Sequence, residues 1–257
     1  MKARLTVLGS GTSMGVPTIG CDCVVCHSAD PHDRRTRPSV LIEYNDKFVL
    51  VDSTPDFREQ AIRERIRQLD AVLYTHAHAD HILGIDDLRP LSFRHKPSKL
   101  PLYAQPEAAD FIRTMFRYIF DADYKFGGLP LVELRPIHGP VELFGARFEP
   151  VTVIHGESEI FGFRFGSAAY LTDHSEVPDA TLSKLQNLDI LFLDALRHTP
   201  HPTHSTVENS LRIVEELKPK RAFFTHICHD LPHEATNAAL PPNVRLSYDG
   251  MKLDFEI

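Results

Sequence analysis

No stretch of this chain approaches the roughly 20 consecutive apolar residues of a membrane span. Its first residues, Met1 to Leu8, alternate as a short strand instead of forming a cleavable leader. A cytoplasmic protein with no membrane partner is the expectation. There is no basic excess either. The formal net charge is -7 and the isoelectric point about 6.1, so nothing draws the whole surface to nucleic acid. Local basic runs occur at Arg34, Arg35 and Arg37 and between Arg58 and Arg67; the second is interleaved with Glu59 and Glu64 and reads as a solvated helix face. Cysteine is scarce, and three of the four residues are packed into Cys21, Cys23 and Cys26. A disulfide framework would spread them, so the cluster points to a metal in a reducing compartment. Linker-like composition and repeats at solenoid spacing are absent. With 42% hydrophobic and 25% charged residues over 257 positions, residues 1–257 read as one ordered α/β domain.

What is present is a block of strands followed by helix–strand alternation, and then the same again. Strands are predicted around Leu5–Val7, Val40–Ile42, Phe48–Val51, Ala71–Tyr74, Leu131–Leu134, Val141–Leu143, Ala146–Ile154, Ile160–Phe165, Ala168–Leu171, Ile190–Leu193 and Ala222–Thr225, with two short ones flanking Asp249-Gly250. Asn45-Asp46 joins two of them in a hairpin. Helices are predicted over Pro55–Gln68 (Thr54 a candidate cap), Pro106–Phe120, Asp179–Gln186 and Thr206–Leu217, with Thr75–His81 as a loop. Two mixed sheets packed together and flanked by helices accommodate this order.

The unusual count is 15 histidines. Thr75-His76-Ala77-His78-Ala79-Asp80-His81 follows an apolar strand, and three imidazoles with a carboxylate are costly to crowd unless a cation binds them. On an extended backbone His76 and His78 share a face, while Asp80 and His81 lie past the bend and can serve a second ion about 3.5–4 Å away. His155, Asp173 and His226 each stand where an apolar run ends, the position at which open α/β sheets place their sites. Asp52 ends another such run. The thiols of Cys21, Cys23 and Cys26 need a fourth partner to enclose a tetrahedral zinc; His27 and His32 are near in sequence, but His229, three residues after His226, is better placed to tie the loop, at about residues 20–37, to the active-site edge. His204 precedes a helix, where an imidazole can contact a phosphate or protonate a leaving alkoxide. His198 and His201 read as loop residues. Cys228 is either a competitor for the zinc or an inert thiol, and the aromatic segment Phe111–Gly128 is a candidate cap over the pocket.

The motif at His76, His78, Asp80 and His81 resembles the metallo-β-lactamase superfamily. That resemblance implies a four-layer αββα sandwich. It implies one divalent ion held by His76, His78 and His155, a second held by Asp80, His81 and His226, Asp173 bridging them, and Asp52 orienting a ligand histidine. The glycine-rich stretch Gly9–Gly15, the three cysteines, and His226 with His229 together resemble the phosphoribosyl cyclic phosphate phosphodiesterases of phosphonate breakdown. This second resemblance implies a structural zinc on Cys21, Cys23, Cys26 and His229, and manganese or zinc in the active site. The residues it implicates in catalysis are Asp80, Asp173 and His204, the last as general acid. The expected function is hydrolysis of a small, cyclic phosphodiester by a two-metal mechanism, with no nucleic-acid partner and with room for a homodimer. Three alternatives share parts of the pattern: an RNA-processing nuclease of the same fold, a thioester or lactam hydrolase, and a non-catalytic cofactor-biosynthesis accessory protein.

Overall fold

The computed structural model describes residues 1–121, 123 and 127–257. Its strands are β1 (Lys2–Gly9), β2 (Ser39–Tyr44), β3 (Lys47–Val51), β4 (Ala71–Leu73), β5 (Leu100–Ala104), β6 (Val132–Pro136), β7 (Val141–Leu143), β8 (Ala146–His155), β9 (Ser158–Phe165), β10 (Ala168–Leu171), β11 (Ile190–Asp194), β12 (Arg221–Thr225), β13 (Val244–Leu246) and β14 (Lys252–Glu256). The helices are α1 (Phe57–Arg63), α2 (Ala79–Ile82), α3 (Arg89–Ser92), α4 (Pro106–Met115), α5 (Arg117–Phe120), α6 (Asp179–Lys184), α7 (Val207–Leu217) and α8 (His233–Ala239). One seven-stranded sheet runs β14-β1-β2-β3-β4-β5-β6, and the other runs β13-β12-β11-β10-β9-β8-β7. Each mixes antiparallel pairs, such as β1 with β2 and β8 with β9, with parallel ones, such as β3 with β4 and β11 with β12.

Strand periodicity explains the layering. In β3, Val49 and Val51 point into a central core that takes residues from both sheets, while Leu50 points outward to a second core containing Phe57 of α1 and Ala109 and Ile112 of α4. In β11, Ile190 and Phe192 enter the central core, and Leu191 and Leu193 enter a third one with Leu182 of α6 and Val214 and Leu217 of α7. Three apolar interlayers need four layers of secondary structure, and this is the expected αββα sandwich.

Several expected elements are corrected. The Thr75–His81 segment is a loop only to His78, after which Ala79–Ile82 is helical. The helix expected over Pro55–Gln68 spans Phe57–Arg63, and Thr54 Oγ1 accepts the N–H of Asp56 just ahead of it. The helix expected over Pro106–Phe120 breaks at Phe116 (φ -104°, ψ 37°). The helix from Asp179 stops at Lys184. Strand β5 and helix α8 were not anticipated. Arg35, one of a run of basic residues, is not on the surface: it is 1% exposed, paired with Asp33 at 2.9 Å and donating to the carbonyls of Cys228 and Leu231. Among the described residues no helix is long and apolar enough to cross a membrane.

Candidate active site

Strand exits from both sheets converge at one end of the sandwich. Asp52 follows β3, the His76–His81 run follows β4, His155 closes β8, Asp173 follows β10, Asp194 closes β11 and His226 follows β12. Three of these residues turn with a left-handed backbone: Asp52 (φ 64°), Asp173 (φ 51°) and His226 (φ 57°). Asp and His tolerate that region better than most residues, yet a non-glycine held there costs about 1–3 kcal/mol, so the surrounding strands must enforce it.

The structure brings the seven residues singled out at strand ends into two groups that share Asp173. His76, His78, His155 and Asp173 form one, and Asp80, His81, Asp173 and His226 form the other; within each, one donor atom per residue lies within 4.8 Å of the rest. Asp173 Oδ1 is 3.3 Å from His81 Nε2, and its Oδ2 is 3.3 Å from His226 Nε2 and 3.8 Å from His76 Nε2. Asp80 Oδ2, His81 Nε2 and His226 Nε2 are buried without a hydrogen-bond partner. Buried polar atoms are rarely left so, and three that face one another from nitrogen and carboxylate donors fit a divalent cation. The outer faces of these ligands are held. His81 Nδ1 meets Asp52 Oδ2 at 2.8 Å, and Asp52 also accepts the N–H and hydroxyl of Thr75. His155 Nδ1 donates to Thr203 O at 2.7 Å, which leaves its Nε2 lone pair to face the group.

Charge follows the same geometry. Burial opposes ionisation of Asp173, but His226 and His81 overcome it and hold its carboxyl well below the usual range. Burial likewise disfavours a charged His226, yet Asp173 and Asp80 raise it to about 9. Burial, with His81 and other imidazoles close by, keeps His76 neutral and able to donate a lone pair.

Asp194 had not been singled out. Its Oδ2 is 2.7 Å from His204 Nδ1, its Oδ1 lies 4.0 Å from His226 Nδ1, and it is fully buried. The signal was there, a carboxylate at the exit of an apolar strand, as at Asp52. The rings of His204 and His226 stack at 4.5 Å, and His155 is 4.8 Å from His204. His204 therefore stands beside both groups. The cap of α7 is Thr206, which accepts the N–H of Asn209.

At the edge of the site, the sulfurs of Cys21, Cys23 and Cys26 lie 3.2, 3.4 and 3.5 Å from His229 Nδ1. His27 and His32 are not in this group. The backbone N–H of Cys26 pulls the Cys23 thiol down to about 6. Cys228 is buried apart from them, and burial pushes it up to about 11. A further grouping of His32, His233 and Glu234 lies behind the loop. The Arg35 charge that helps lower His233 also opposes a cation there.

A family model described as a beta-lactamase superfamily domain matches residues 47–227. The chain belongs to the beta-lactamase superfamily. Within this superfamily, a solved structure described as a new diphosphatase from the PhnP family is 60% identical, with a TM-score of 0.94 over 99% of this chain and 98% of its own; the chain belongs to that family. An octanoyltransferase of Porphyromonas gingivalis is 37% identical over 97% of this chain and 51% of its own length. A ribonuclease Z of Bradyrhizobium diazoefficiens is 32% identical over 36% of this chain and 32% of its own. The chain thus spans about half of the first curated relative and a third of the second.

The first of the two groups opens to the surface. A cleft of about 260 Å³ is lined by His76, His78 and His155 on one side and by Ala77, Phe111 and Ile160 on the other. Phe111 begins the segment expected to cap the pocket; Ala122, Tyr124, Lys125 and Phe126 of that segment lie outside the described residues. A larger hollow, about 620 Å³, runs along Lys2–Arg4 and Asp254–Glu256, away from the histidines.

Proposed function

We infer that this protein is a metal-dependent hydrolase of small phosphodiesters. The observation that carries the reading is the pair of ligand groups sharing Asp173 with the His204–Asp194 pair against their open side. His76, His78 and His155 would hold one divalent ion, and Asp80, His81 and His226 the other, with Asp173 common to both. Ions bound there would neutralise phosphoryl oxygens and ionise water near neutral pH. The identity of the ions, manganese or zinc, is left open by donors that suit both. Cys21, Cys23, Cys26 and His229 would hold a third, structural zinc.

The protein's own groups supply the rest. Asp52 fixes the His81 ring and Thr203 O fixes His155, so neither ligand needs to reorganise during reaction. His204 would act in its doubly protonated form, with Nδ1–H donated to Asp194 and the second proton carried on Nε2 toward the leaving group. As water adds to phosphorus and the P–O bond to the leaving group breaks, His204 Nε2 gives its proton to the departing oxygen; the proton lost by water restores it.

The 60% identical relative's description as a diphosphatase supports including P–O–P bonds beside P–O–C esters among the substrates. A ribonuclease activity has less support, since the ribonuclease Z match covers little of either chain. A panel on the metal-loaded protein tests the reading: bis(p-nitrophenyl) phosphate, five-membered cyclic phosphates, a phosphomonoester and a β-lactam. Turnover of the diesters with little on the last two is expected. Efficient lactam or thioester hydrolysis with inert diesters would overturn it.

A further inference from the structure

The segment from Arg197 to His204 is fixed to the site through Thr203 and through His204, which meets Asp194. Thr203 O accepts from His155, and the methyl of Thr203 sits where a side chain at Gly156 would fall; a Cβ there would be 2.9 Å from Thr203 Cγ2, and Gly156 has φ 65°. On its other side Thr203 turns its N–H toward His201 Nδ1 at 3.4 Å, with its hydroxyl 3.2 Å from the same nitrogen. A ring nitrogen that accepts from a backbone N–H carries no proton, so the neutral His201 imidazole bears its hydrogen on Nε2. That Nε2 has no hydrogen-bond partner among the described residues, and the side chain is half-exposed.

The position of this donor is informative. The rings form a row leading out from the ligand groups: His226 to His204 at 4.5 Å, then His204 to His201 at 5.0 Å. Burial pushes His201 down, and the charges of His204 and of Arg197, which is anchored by donating to Thr199 O at 3.1 Å, add to this against the opposing Asp194. The adjacent carboxylate of Glu208 is taken up by His198 at 2.6 Å. The outer end of the row therefore presents an imidazole N–H within reach of the Arg197 charge, one ring beyond the proposed proton donor.

We propose that His201, backed by Arg197, is a subsite for a second phosphoryl group, so that the preferred substrates are diesterified diphosphates and not diesters with a single phosphorus. The proposal rests on the hydrolase reading above and deepens it. In this arrangement a phosphodiester of one phosphorus would meet His204 alone. A diphosphate carries a further anionic phosphoryl that accepts from His201 Nε2–H, and a hydrogen bond to a charged group is worth about ten- to a hundredfold in affinity.

The test compares wild type, His201→Phe and His201→Gln as metal-loaded proteins. The first quantity is the ratio of kcat/KM for ADP-ribose to that for bis(p-nitrophenyl) phosphate. The second, independent of turnover, is the ratio of Kd for pyrophosphate to that for orthophosphate by calorimetry. Both preferences should fall about tenfold or more in His201→Phe, which keeps a ring but loses the donor, and should largely return in His201→Gln. Preferences within twofold of wild type in His201→Phe would overturn the subsite. So would wild type that cleaves bis(p-nitrophenyl) phosphate but not ADP-ribose, with the hydrolase reading left standing. Wild type that cleaves neither, while the pyrophosphate preference still depends on His201, would remove the hydrolase reading and support the subsite.

Discussion

A single imidazole in this site is defined by what touches its far side. His204 faces Asp194 through Nδ1, so Asp194→Asn should leave the ring in place and weaken its support as a proton donor. General acids contribute about 10²–10⁴-fold. His204→Ala is therefore expected to lose most of its activity on substrates with poor leaving groups while losing much less with p-nitrophenolate, and Asp194→Asn to follow the same pattern more mildly. Equal losses on both substrate types would assign His204 to phosphate binding. Away from the site, burial pushes His233 down to about 4, below its ordinary 6.5. The unfolded chain then binds a proton that the folded one refuses, so stability is full above about pH 7 and is lost as pH falls from 6.5 toward 4. Denaturant titrations of the metal-free protein at pH 7 and pH 5 should show a smaller loss in His233→Gln than in wild type. The residues read from sequence were those whose crowding has no other explanation, His76 to His81. Asp194 lacked any neighbouring motif, and His201 means something only through Thr203 and His204, which a linear reading cannot bring against it.

Elements were legible where period and punctuation agreed. β11 and β12 are short apolar runs between polar residues, and α7 has a cap and a clear apolar face. β5 was hidden by Pro101, since proline is uncommon between two paired neighbours; here β4 pairs through Val72–Leu102 and Leu73–Tyr103 and leaves position 101 aside. α8, His233–Ala239, has too few apolar residues to show a period. The αββα order follows from alternation in the central strands, and Phe192 tests it. Its ring lies in the core between the sheets, where Phe192→Ala should cost about 3–5 kcal/mol by chemical denaturation; a cost below 1 kcal/mol would contradict that packing. The cysteine loop is tested differently. Cys21→Ser should lower the melting temperature and speed hydrogen exchange around the loop, because a structural zinc contributes folding free energy directly. Unchanged melting would mean that the thiols bind nothing.

At the scale of the molecule, each ligand group takes donors from both sheets: His76, His78, Asp80 and His81 from the first, His155, Asp173 and His226 from the second. Stripping the ions should lower the melting temperature and raise hydrogen exchange at the strand exits of both sheets together, since a ligand at a hundred times its Kd adds about 2.7 kcal/mol. Exchange confined to one sheet would contradict a shared site. The cysteine corner joins parts of the chain that are still further apart in sequence, for Cys21 and His229 are separated by 208 residues. A ribosome therefore builds the three thiols well before the imidazole. If the proposed zinc binds there, the growing chain until then would offer an incomplete and exchangeable metal site, beside sheets that are still missing strands. Under the zinc proposal, a chain released before His229 would keep its three thiols open to chelators and alkylating reagents, and a chain that includes His229 would shield them.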